Sequence, residues 1–236
     1  MDIVYRFADI PVRALYSHTY LLEQCRGYET DGEPLFTVEV TEQDLFEEEK
    51  RSAGEHYPLG YLESLAFYRK FTTEASRLDT LLFHGSAVAL DGRAYIFTAP
   101  SGTGKSTHTR LCARMYGDRF CYVNDDKPLL RLIDGVWYVY GTPWDGKHRL
   151  STNMRAPLGG ICFLNRGEKN SIVRTDRSVA FSRLLGQTFR PASADALGRV
   201  LDLTVKLSEV PLWSLHCTIS DEAAALSLPT MAQAAK

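Results

Sequence analysis

Apolar positions recur along the chain with two distinct periods. From Gly60 to Ala75 they fall three to four residues apart (Tyr61, Leu62, Leu65, Ala66, Tyr68), the spacing that lines one face of an amphipathic helix. Leu81 to Leu90 is instead rich in strand formers, Asp91-Gly92 supplies a two-residue turn, and Arg93 to Thr98 returns as a second apolar strand. Thr107 to Tyr116 carries Leu111 and Met115 on one helical face, and Phe120 to Val123 reads as a buried strand ending in acids. A second hairpin is predicted from Leu129 to Ile133 and Val136 to Tyr140 about Asp134-Gly135, followed by a polar loop from Gly141 to Arg155. Ile161 to Leu164 and Ser171 to Arg174 are expected to pair as strands. Val179 to Phe189 and Asp195 to Ser208 read as helices, and Leu212 to Ile219 as a late strand. Residues 1–58 mix short apolar stretches, Pro11 to Leu15 and Leu35 to Val40, with Gly27, Gly32 and Pro34, which suggests short strands and turns. The alternation of strands and helices predicts an α/β fold, with a small β-rich segment over 1–58 packed on a core over 59–236.

Composition narrows the function classes. The 236 residues are 44% apolar and 24% charged, the make-up of an ordinary folded domain. A net charge of -2 provides no field to draw the chain to nucleic acid or anionic lipid, so neither is an expected partner. No apolar run reaches the roughly 18 residues of a membrane span. The opening Met-Asp-Ile-Val-Tyr-Arg lacks the basic and apolar regions of a signal peptide, so the cytoplasm is the expected location. Five scattered cysteines (Cys25, Cys112, Cys121, Cys162, Cys217) contain no Cys-x-x-Cys pair and read as buried thiols. The acidic run Glu47 to Glu49, followed by Lys50, reads as a solvated face.

Candidate chemistry begins where the first hairpin ends. Ala99-Pro100-Ser101-Gly102-Thr103-Gly104-Lys105-Ser106 has the form of a P-loop with Ala99 where the first glycine usually stands. Glycines at 102 and 104 let successive N–H groups turn inward as an anion nest at the start of a helix. Ser101, Gly102, Thr103, Gly104, Lys105, Ser106 and Thr107 are therefore the expected nucleotide-binding residues, with Lys105 on the β- and γ-phosphates and the Ser106 hydroxyl on Mg²⁺. The flanking strand and helix supply the context this motif requires.

Asn124-Asp125-Asp126 follows about 20 residues after Lys105, the length a helix, a turn and a strand consume before returning beside the loop. One carboxylate can hold Mg²⁺ and the other can accept the proton of an attacking hydroxyl. Neighbours on a regular strand face opposite ways, so both acids serve one site only if the strand has already bent, and Lys127-Pro128 makes that bend plausible. No Glu follows the pair, which favours transfer to a bound hydroxyl over hydrolysis of ATP. His84, ahead of Gly85 on the first hairpin strand, is read either as a core histidine or as a group beside the acids.

The pieces His84-Gly85, Ser101 to Thr107 and Asp125-Asp126, in this order and spacing, resemble the HPr kinase/phosphorylase-like group, small relatives of ATP-dependent phosphoenolpyruvate carboxykinase. The resemblance spans about residues 81–164. It implies a P-loop nucleotide-binding core on a mixed β-sheet flanked by helices, and serine-kinase chemistry with ATP and Mg²⁺. It further implies catalytic roles for Lys105, for Asp125 as proton acceptor, for His84 as a supporting group, and for Asp126 in support of the metal or of His84. The family's Glu-bearing, Gly-rich signature is replaced here by Gly141-Thr142-Pro143-Trp144-Asp145-Gly146-Lys147, so Asp145 becomes the candidate third metal ligand beside Ser106 and Asp126. Lys147 and Arg149 are candidate phosphate contacts, and Trp144 reads equally well as an anchor in the core. The family's late catalytic arginine has no clear counterpart; Arg155 and Arg190 are the candidates. The expected activity is transfer of the γ-phosphoryl of ATP to an alcohol, on a peptide or protein serine or on a small hydroxylated metabolite. A homo-oligomer is compatible with the resemblance. The second reading is a non-catalytic ATP-binding regulatory module, supported by Ala99 and by the missing signature. A mechanical NTPase ranks last, for want of a catalytic Glu.

Overall fold

In the computed structural model, which describes residues 1–52 and 54–233, the first strands form where buried and solvent-facing side chains alternate. β1 (Asp2–Phe7) buries Tyr5 and Phe7 and pairs antiparallel with β2 (Ile10–Leu15), which pairs in parallel with β3 (Phe36–Glu39). Three helices, α1 (Thr19–Gln24), α2 (Glu42–Arg51) and α3 (Leu59–Ala75), belong to the same unit. α2 starts at a reciprocal cap in which Thr41 accepts from the Asp44 N–H and the Asp44 carboxylate accepts from the Thr41 N–H. Its acidic run is not wholly solvated: Glu48 is buried, with Arg51 and Arg69 both 2.8 Å away. α3 packs Phe67 and Phe71 against Phe7 with edge-on ring geometry. The two compact units are therefore Met1–Leu78 and Asp79–Lys236, and the helix read as the start of the second part belongs with the first.

The second unit is built on a nine-stranded mixed sheet among the described residues. Its strands are β4 (Thr80–Leu82), β5 (Ser86–Leu90), β6 (Arg93–Thr98), β7 (Phe120–Asn124), β8 (Leu129–Ile133), β9 (Val136–Tyr140), β10 (Arg155–Arg166), β11 (Ser171–Arg174) and β12 (Leu212–Cys217). β5 pairs antiparallel with both β6 and β7, while β10 pairs in parallel with β6 and β12. Hence β6, β7, β10 and β12 run in one direction and end at a common edge, where β5 begins.

Four helices cover this sheet: α4 (Lys105–Tyr116), α5 (Arg177–Gln187), α6 (Ala194–Leu207) and α7 (Asp221–Gln233). Period-two alternation sorts the strand residues between two cores. Val88, Leu90, Phe97, Cys162 and Leu164 pack with Cys112 of α4 and with Ala224, Leu228 and Met231 of α7. Ala87, Ala89, Ile96, Ile161 and Phe163 pack with Ala180 and Leu184 of α5 and with Val200 and Leu203 of α6.

Three sequence expectations are corrected here. The run Leu81 to Leu90 is two strands, because the His84 N–H donates to the Gln187 carbonyl and the Gly85 N–H to the Asp126 carbonyl, which takes both out of the ladder. Ser171–Arg174 pairs with β12, not with the strand before it. β10 is also far longer than Ile161 to Leu164, since its first residues pair with β9 and its last with β6 and β12. α1 and α7 are elements the sequence pattern did not reveal. Cys25, Cys112, Cys162 and Cys217 are buried and Cys121 half-buried, all as free thiols.

Candidate functional site

The segment between β6 and α4 carries the phosphate-loop sequence, and its backbone explains the glycines. Gly102 and Gly104 stand at φ +76° and +118°, where an L side chain is strained, although a Cβ at either would meet nothing within 4 Å. These glycines serve backbone conformation rather than lack of space. Gly104 is also the N-cap of α4 and has no side chain to cap it, so the first-turn N–H groups and the helix dipole are available to an anion. The Thr103 hydroxyl and N–H both donate to the Pro100 carbonyl, at 2.8 and 3.3 Å, and close the turn. Ala99, in the first glycine's position, is buried against the α4 face of the sheet with Phe97 and Cys112. Lys105 folds back so that Nζ donates to the Ala99 carbonyl at 2.9 Å. Burial pushes its ammonium below the ordinary lysine range, against the opposing pull of Asp126 and Asp125.

The required bend after β7 exists, and Asn124 makes it. Its Oδ1 accepts from the N–H groups of Asp126 and Lys127 at 2.8 and 2.7 Å, while its Nδ2 donates to the Thr142 carbonyl at 2.9 Å. The two acids then part ways. Asp125 is 7% exposed, and its Oδ1 accepts the Ser86 hydroxyl from the first residue of β5. Asp126 is more open: its Oδ1 lies 3.4 Å from His84 Nε2, and its Oδ2 accepts from Lys127. Burial would raise the Asp126 carboxyl, but the hydrogen bond from His84 and the charge of Lys127 outweigh it and hold the group at about 2. His84 is thus at the acids rather than in the core, with Nδ1 3.1 Å from Gln187 Oε1.

The loop from Gly141 to Arg155 is stitched to the same place. The Asp125 N–H donates to the Leu150 carbonyl and the Thr152 N–H to the Val123 carbonyl. Gly146 lies against the Asp126 side chain, and Ser151 donates to Asp145 Oδ2 at 2.7 Å. Burial raises the Asp145 carboxyl, and the neighbouring Asp126 charge raises it further. Trp144 is buried as an anchor, whereas Lys147 and Arg149 are exposed. Among the described residues no group of three or more His, Cys, Asp and Glu side chains could hold a metal ion by itself. Asp126 and Asp145, with the Ser106 hydroxyl, are hard oxygen donors of the kind Mg²⁺ takes alongside nucleotide phosphates.

The arginines stand at different places in the second unit. Arg155 opens β10, at the end of the strand away from the loop, with its guanidinium over the Tyr138 ring. Arg190 is exposed just beyond the bridge between Phe83 and Thr188. Arg166, at the other end of β10, donates from Nη2 to the Gly102 carbonyl at 2.7 Å. Ser86, Asn124, Gln187 and Arg166 are the residues that sequence reasoning missed. Only Asn124, directly before the acids, carried a local signal as a turn-forming residue.

No family model matches the sequence, and no curated protein does. Among solved structures the chain is similar to the Hpr(Ser) kinase/phosphatase from Coxiella burnetii, at 13% identity and a TM-score of 0.28, over 52% of this chain and 87% of that one. At that TM-score the likeness transfers neither fold nor activity, and the site rests on its own geometry. Among the described residues no helix is long and apolar enough to cross a membrane.

Proposed function

We propose that this chain is an ATP-dependent kinase that transfers the γ-phosphoryl group to an alcohol hydroxyl, on a peptide or protein serine or on a small hydroxylated metabolite. One observation carries the reading. The glycine loop with Lys105, the Asp125-Asp126 pair and His84 all stand at one edge of the sheet, where the parallel strands end, and that edge is where open α/β sheets bind ligands. The loop N–H groups and the α4 dipole hold the phosphates, and Lys105 leaves the Ala99 carbonyl to meet their charge. Ser86 fixes Asp125 through Oδ1, so the remaining oxygen takes the proton of the acceptor hydroxyl as the new oxygen–phosphorus bond forms and the bond to the ADP oxygen breaks. His84 keeps Asp126 ionised and oriented. Ser106, Asp126 and Asp145 are the residues that would hold Mg²⁺ bound with the nucleotide, and it would supply neutralisation of the phosphate charge.

Single-turnover assays with labelled ATP against peptide, protein and metabolite pools test the reading. The expected result is transfer by the wild-type chain and none by Lys105→Ala. Asp125→Asn should retain ATP binding with turnover reduced by about 10²-fold or more. Normal turnover in Asp125→Asn would remove the proposed base. Tight ATP binding with no transfer to any pool would favour the regulatory-module reading instead.

A further inference from the structure

The sequence left open which cation meets the charge that develops on the transferred phosphoryl group, and the strand order narrows the choice. β10 lies beside β6 in parallel register, Phe163 opposite Thr98, so the end of β10 emerges beside the start of the glycine loop. Arg166 is the last residue of that strand. Its backbone is held in the ladder opposite Cys217, and the ladder continues one residue further through the Gly167 N–H to the Cys217 carbonyl at 3.1 Å. Period-two alternation assigns the side chain's face: Cys162 and Leu164 pack on the face that carries α4, so Arg166 projects on that same face, beyond the core and at the N-terminus of α4. The hydrogen bond from Nη2 to the Gly102 carbonyl confirms the direction. One arm of the guanidinium braces the loop from outside, and the planar fork has further donors for a phosphate. Arg183 shows the contrast. It comes from α5 on the opposite face, and its guanidinium lies over Phe163, 4.1 Å from the ring centroid.

We infer that Arg166 is a catalytic residue that contacts the γ-phosphoryl group of the bound nucleotide and stabilises the charge it gains during transfer. This inference rests on the phosphoryl-transfer reading above. It separates a phosphate contact by Arg166 from a mere brace on the loop, because a contact at the γ-position is made to ATP and not to ADP.

The test measures the affinity of ATP, ADP and a non-hydrolysable ATP analogue by titration calorimetry for the wild-type chain, Arg166→Ala and Arg166→Lys, with single-turnover rates alongside. For Arg166→Ala the ATP and analogue affinities should fall about 10-fold more than the ADP affinity, as for loss of one charge-assisted contact at the γ-position, the ADP affinity losing only what the brace on the Gly102 carbonyl supplies. The transfer rate should fall by about 10²–10³-fold. Arg166→Lys should recover part of the ATP affinity but little of the rate, since an ammonium lacks the fork. Equal losses for ATP and ADP would mean that Arg166 only braces the loop and would overturn the inference, as would unchanged affinities and rate. A wild-type chain that binds neither nucleotide would overturn the phosphoryl-transfer reading and this inference with it. Wild-type binding and transfer that Arg166→Ala leaves intact would overturn this inference alone.

Discussion

His108 sits in the first turn of α4, buried beneath the loop, with its ring edge-on to Phe97 and Nε2 3.0 Å from the Ser227 hydroxyl. Burial pushes its pKa down to about 4. In the unfolded chain the same imidazole titrates near 6.5, so between those values the unfolded state binds the proton and the folded state does not. Stability is therefore expected to fall as pH drops through this window, by about 2 kcal/mol between pH 7 and pH 5 from this group alone. Urea unfolding at the two pH values checks it: His108→Gln should lose that part of the pH dependence, and an identical slope in wild type and variant would refute the assignment. Asp126 acts in the same sense, in a lower pH window. Its folded pKa is depressed, so its contribution is complete above the ordinary carboxylate range near 4 and is lost as pH falls toward about 2. Both groups lose stability toward acid, in successive windows. At this scale the placement of the glycines and Lys105 at a strand–helix junction and of the acids at a strand end was legible in the sequence, because it follows from local spacing. Ser86 and Gln187 were not, since each acts on a residue remote in the chain, Asp125 and His84 respectively.

Between residue and fold, the hairpins were the most readable elements. Asp91-Gly92 and Asp134-Gly135 adopt the positive φ values that two-residue turns demand, and both hairpins form where they were expected. The loop from Gly141 to Arg155 was harder, because nothing in its polar composition tells a solvated loop from one sewn to β7. Gly141 shows the closeness of that seam: a Cβ there would sit 1.8 Å from the Thr152 carbonyl oxygen and 2.7 Å from that of Val123. Gly141→Ala is thus expected to cost about 3 kcal/mol or more, seen as a lower urea midpoint, and to weaken nucleotide binding by shifting the segment that positions Asp125 and Asp145. A variant as stable as wild type would show that the seam yields easily. α7 escaped notice because its buried face is mostly small, Ala223, Ala224 and Ser227 before Leu228 and Met231, and because Pro229 within it reads as a helix breaker.

At the scale of the whole molecule, the sheet from β4 to β12 and both of its core clusters are drawn entirely from residues after Leu78. A chain beginning at Asp79 is therefore expected to fold cooperatively and to bind ATP with the affinity of the full chain, as measured by thermal unfolding and calorimetry. Loss of a cooperative transition would show that the first unit is required for the second to fold. The sequence by itself determined the α/β class, the glycine loop at a strand–helix junction and the acids at a strand end, because each depends on side-chain periodicity or on the backbone preferences of a few adjacent residues. The tertiary structure alone decided the strand order, and with it everything that depends on the order. Inserting β5 antiparallel between β6 and β7 brings His84 and Ser86 to the acids. Laying β10 beside β6 brings Arg166, 64 residues from Gly102 in the chain, to the loop while carrying Arg155 away. No local pattern encodes these choices, because strand pairing is won by burying both faces of the sheet at once, a property of the assembled core rather than of any segment.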